Sequence, residues 1–126
     1  MPDRVHPTAV RGLLERVGNG THEKVVRLTS ISREHTMYSV ARVGLPEVVL
    51  FYSTAYSFGE AEYELRPSEV VRGSFILILP HADFAGDIVE RARGDGVGIG
   101  HLAKFMGALN YQNVWEYFAP NERRRP

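Results

Sequence analysis

The stretch SFILILPHADFAGDIVERARGDGVGIGHL, Ser74 to Leu102, changes its hydrophobic pattern twice. It opens on an apolar run, Phe75 to Leu79, stopped by Pro80, which reads as a strand ending where proline removes the next ladder donor. From there the apolar residues fall at Phe84, Ile88, Val89 and Ala92, a helical stripe with one face toward a core, closing in glycine. VGIGHL, from Val97, is then a short strand. Gly94 and Gly96 follow a helix instead of leading into one, so they are expected to end it and turn the chain, not to cradle a phosphate. Gly98 and Gly100 share one strand face and leave it bare for a close neighbour.

Working outward, AKFMGALNYQNVWEYF continues as a broken helical segment carrying Phe105, Met106, Leu109, Val114 and Trp115. Upstream, EVVLFYS from Glu47 is apolar on both faces and reads as a central strand. EAEYELR from Glu60 alternates glutamate with other residues and reads as a strand with one exposed face. EKVVRLTSI and HTMYSVARV, within residues 23–43, read as two strands about the polar turn SREH, the first having helix as its alternative. PTAVRGLLERV, residues 7–17, spaces Val10, Leu13, Leu14 and Val17 as an amphipathic helix between Pro7 and Gly18. The expectation is one globular domain, residues 1–126, of the α/β (α+β) class, with a mixed central β-sheet flanked by helices.

Fifteen basic residues balance fifteen acidic ones, so any attraction to nucleic acid or to an anionic surface must be local. Cysteine is absent, which removes disulfides, thiolate catalysis and cysteine-type zinc sites together. A metal could be held only by carboxylates and histidines, and His6, His22, His35 and His101 show no ligand spacing. No long apolar run or targeting segment stands out; the expectation is a soluble cytoplasmic protein with no membrane partner.

On a strand, Glu60, Glu62, Glu64 and Arg66 would line one face. Such a carboxylate row beside Glu47 of the neighbouring strand is the oxygen-rich arrangement that Mg2+ or Mn2+ requires, with Glu47, Glu62 and Glu64 as ligands. The alternative is the solvated face of an edge strand. His81 and Asp83 sit between a strand and a helix, where α/β proteins bind ligands, but an aspartate there also serves as a helix cap.

Pro46-Glu47 at the start of one strand and Glu64-Leu65-Arg66 in the next resemble the PD-(D/E)XK pattern of the restriction-endonuclease-like nucleases, and residues 75–102 resemble the strand, helix and GIG-strand ending of that superfamily. The resemblance implies a restriction-endonuclease-like fold, with Glu47 as the first metal-binding acid, Glu64 as the second and Arg66 in place of the catalytic lysine. Arginine is a poor copy of that lysine, because it stays protonated and offers a fork where lysine offers a point charge. PSEVVRG also leaves little room for the helix usually found there. The functional expectation is therefore a non-catalytic or impaired nuclease-like domain that binds DNA, RNA or a protein partner. Its alternatives are a Mg2+- or Mn2+-dependent nuclease using Glu47, Glu64 and Arg66, and a structural subunit of a homo-oligomer. NYQNVWEYF with Arg123, Arg124 and Arg125 pairs rings with positive charge, as a single-stranded nucleic-acid site does, and equally as an oligomer interface does.

Overall fold

The computed structural model describes residues 24–31, 36–79 and 81–118. The helix expected over residues 7–17 and the arginines Arg123, Arg124 and Arg125 lie outside the described residues, as do His6, His22 and His35.

Three strands, β1 (Val25–Ser30), β2 (Met37–Arg42) and β3 (Leu45–Tyr52), form an antiparallel meander. The β2–β3 turn needs only Val43 and Gly44, and Gly44 adopts φ +67°, a left-handed conformation that costs a residue with a Cβ. Beyond β3, β5 (Phe75–Leu77) and β7 (Gly98–Gly100) add in parallel, so the five-stranded mixed sheet runs β1-β2-β3-β5-β7. β3 is central, as its two-sided apolar sequence requires. Two short strands, β4 (Ser57–Phe58) and β6 (Asp83–Phe84), pair in parallel as a separate ribbon. The helices are α1 (Glu60–Glu64), α2 (Gly86–Gly94) and α3 (Leu102–Ala108), followed by a 3-10 turn at Val114–Glu116.

In the parallel half, Leu50, Phe75 and Gly98 share one register row, and Tyr52, Leu77 and Gly100 the next. Phe105 of α3 lays its ring 5.1 Å from that of Phe75, so α3 covers this face. The bare face expected of β7 is real and tight: a Cβ on Gly98 would stand 2.6 Å from Cδ2 of Phe75. α2 buries Ile88, Val89 and Ala92 and ends as the glycines suggest. Val97 N–H reaches the Ala92 carbonyl at 2.8 Å and Gly96 N–H that of Arg93 at 3.0 Å, while Gly96 takes φ +79°. These are the two bonds of a Schellman end.

Two expectations are corrected. Residues 60–66 are not a strand: Glu60–Glu64 is helix α1, with Gly59 at its N-cap and Pro67 just beyond it. Glutamate and alanine favour helix, and over so short a window the alternation of glutamates is also satisfied by one helical turn that sends Tyr63 alone into the core. Tyr63 is fully buried, while Glu60 and Glu64 face solvent. Asp83 does not cap α2. It lies in β6, and Ala85 stands at the N-cap without any side-chain bond.

Sequence reasoning missed a buried cation. Arg42, 6% exposed at the end of β2, donates from Nε to the Pro46 carbonyl at 2.9 Å, and from its terminal nitrogens to those of Leu109, Tyr111 and Gln112 at 3.0, 2.6 and 3.3 Å. Burial lowers the guanidinium's affinity for its proton. Four carbonyl dipoles stand in for a counter-ion, and they fasten the meander to the segment after α3.

Candidate functional site

The helical turn of α1 splits the acidic row that a strand would have aligned, turning Glu62 away from Glu60 and Glu64. Glu62 folds back to accept the Gly59 N–H at 2.8 Å, half of a capping box. Glu60 and Glu64, one turn apart, both pair with Arg91 of α2. Arg66 donates to the Tyr63 carbonyl at 3.0 Å and the Val70 carbonyl at 3.1 Å, and its guanidinium carbon lies 4.1 Å from the centroid of the Tyr63 ring. Arg91 approaches the same ring at 5.1 Å. The Tyr63 hydroxyl donates to Asp95 Oδ2 at 2.6 Å. Burial first, and then the bond to Asp95, push this phenol up to about 12, against the opposing charge of Arg66.

Glu60, Glu64 and Arg66 thus gather around Tyr63. Glu47 is on another element, at the exposed start of β3, where Ser39 Oγ of β2 donates to its Oε2. Among the described residues no group of three or more histidine or acidic side chains is arranged to hold a metal ion.

A second cluster forms where the loop before β5, the end of α2 and the C-terminal segment meet. Gly73 N–H donates to the Gly96 carbonyl at 2.8 Å, drawing the loop against the end of α2. The exposed Arg72 then lies between Gly96 and Trp115. Its guanidinium carbon is 5.0 Å from the Trp115 ring centroid, and a Cβ on Gly96 would fall 2.5 Å from its Cγ. Arg93 of α2 donates from Nε to the Trp115 carbonyl at 3.1 Å, pairs with Glu90 at 2.7 Å, and stands 4.2 Å from the centroid of the half-exposed Phe118 ring. The exposed Tyr111 packs on Tyr117 at 5.2 Å between centroids. The sequence marked NYQNVWEYF as aromatic, but not Arg72 or Arg93. Only the fold brings these distant arginines onto its rings.

At the carboxyl ends of the parallel strands, His81 and Asp83 are exposed, and the His101 ring sits 5.2 Å from Phe84. Among the described residues, His101 Nδ1 and the Tyr52 hydroxyl are buried without a hydrogen-bond partner. Strand alternation sends Tyr52, level with Gly100, and His101, one residue later, to opposite faces, so they do not build one site.

Comparison with protein-family models, curated proteins and solved structures returns no match to this chain. Among the described residues no helix is long and apolar enough to cross a membrane.

Proposed function

We propose that this chain is a non-catalytic binding domain on a nuclease-like α/β scaffold, with a nucleic acid or a protein as its partner. One observation carries this reading: the side chains that phosphodiester hydrolysis would need are engaged by the fold itself. A divalent ion at Glu64 must displace the Arg91 guanidinium, and one at Glu62 must break the bond that caps α1. Arg66 has its Nε and Nη1 turned to backbone carbonyls, not to a space a scissile phosphate could enter. A hard cation needs several oxygens converging with free lone pairs, and the two carboxylates of α1 that converge, Glu60 and Glu64, do so on the Arg91 guanidinium.

The test is incubation of the full chain with single- and double-stranded DNA and RNA at millimolar Mg2+ and, separately, Mn2+. The expected result is no cleavage above buffer, in the wild type and in Glu64→Ala alike. Metal-dependent cleavage that disappears in Glu64→Ala would overturn the proposal and establish the nuclease reading.

A further inference from the structure

Arg72 differs from the other arginines around it. Arg42 is satisfied by four carbonyls, Arg66 by two carbonyls, Arg91 by two glutamates, and Arg93 by Glu90 and a carbonyl. Arg72 is exposed, and among the described residues its guanidinium makes no hydrogen bond and no ion pair, only its approach to Trp115. It is nevertheless held in place. Gly96, at the left-handed position that ends α2, lacks the Cβ that would collide with Cγ and Nη1 of Arg72 at 2.5 and 2.9 Å. The side chain is clamped between backbone and indole, with its N–H edge unengaged among the described residues. A guanidinium already restrained loses less entropy when it binds a planar or bidentate anion.

Resting on the non-catalytic reading above, we propose that the Arg72–Trp115 pair is the anchor of a site for single-stranded nucleic acid, with Phe118, joined to Trp115 through Arg93, as a neighbouring stacking ring. The partner must be anionic, because covering an unpaired cation without a counter-charge is costly. It must also offer a flat π face, because the two rings of the surface, Trp115 and Phe118, are each approached by a guanidinium. A single strand supplies both: phosphates for the N–H edge of Arg72, and unstacked bases for guanidinium planes and aromatic rings. An acidic peptide supplies only the anion, and a duplex hides its base faces.

The experiment is fluorescence anisotropy of a labelled oligothymidylate, about a dozen nucleotides long, titrated with the full chain at low salt without divalent metal. Arg72→Ala and Arg72→Lys are measured alongside. Binding is expected, weakened about tenfold or more by Arg72→Ala and also by Arg72→Lys, which keeps the charge and loses the plane. Loss of one phosphate contact should lower the salt slope of affinity by about 0.7. Thermal unfolding checks that the exposed substitutions leave the fold intact. Absence of binding overturns the inference, as does binding indifferent to both variants. Competition by a polyglutamate peptide as effective as by unlabelled oligonucleotide also overturns it, in favour of a protein partner. Cleavage of the oligonucleotide on adding Mn2+ would instead overturn the non-catalytic reading and leave the anchor standing, so the two failures are distinguishable.

Discussion

At Tyr63 a single buried hydroxyl links α1 to the end of α2, and its proton reports on the fold. In the unfolded chain a tyrosine ionises near 10, whereas here burial and the bond to Asp95 push it up to about 12. The folded state therefore keeps a proton that the unfolded state releases, so this contribution is intact below pH 10 and disappears as pH climbs through 12. Stability measured by urea unfolding should fall over that window, and Tyr63→Phe should remove part of the fall together with one late phenolate transition in absorbance. An unchanged pH profile in Tyr63→Phe would show that the proton is not held there. Two glycines give a sharper contrast. A Cβ on Gly98 meets the ring of Phe75, itself locked against Phe105, so Gly98→Ala should cost about 1–3 kcal/mol by overpacking. Gly94, the last residue of α2, has open space around its missing Cβ, and Gly94→Ala should stabilise by about 0.5–1 kcal/mol. Denaturant midpoints moving in opposite directions would establish the difference.

Among the elements, those with a long or unambiguous pattern were legible and the shortest was not. β5, α2 and β7 announced themselves through an apolar run, a helical stripe and a glycine pair whose roles were readable one by one. α1 did not, because a five-residue helix and a five-residue strand can both place glutamate at every second position. Its identity is fixed by the Glu62 bond to Gly59, the burial of Tyr63 and the two pairs to Arg91, of which the last two depend on residues far away in sequence. That misreading propagated, since the proposed metal ligands assumed a common strand face. The contacts of α1 make unequal contributions. Glu62→Ala removes a helix-capping bond and should cost about 0.5–1 kcal/mol. Glu64→Ala breaks an ion pair whose partners are 39% and 53% exposed, and should cost less than about 0.5 kcal/mol because Arg91 retains Glu60. Thermal unfolding of the two variants, near neutral pH and again at high salt, tests this order, and only the Glu64 effect should shrink as salt rises.

Over the whole molecule, the proposed binding surface depends on a residue that touches none of its rings. Arg42, at the end of β2, clasps the carbonyls of Leu109, Tyr111 and Gln112, and so fixes where the chain leaves α3 to present Trp115 and Phe118. Nothing in the sequence marks this arginine, because it sits in an alternating strand where a polar residue reads as solvent-facing. Only the path of the C-terminal segment across the sheet makes it buried. Arg42→Met keeps much of the side-chain volume but strands several carbonyls, each worth about 1–3 kcal/mol when buried unsatisfied, although water can reach those near the surface. A net loss of about 2–4 kcal/mol is expected, seen as a lowered urea midpoint. Lysine, with three donors on a compact ammonium, cannot span four carbonyls, and Arg42→Lys should recover only part of the loss. Because the clasp orders the segment that carries Trp115, the emission of this lone tryptophan should shift to the red in Arg42→Met under conditions where far-ultraviolet circular dichroism still reports a folded sheet. Emission and dichroism lost together at a single midpoint would instead mean that the segment and the sheet form one cooperative unit, with Arg42 acting on global stability alone.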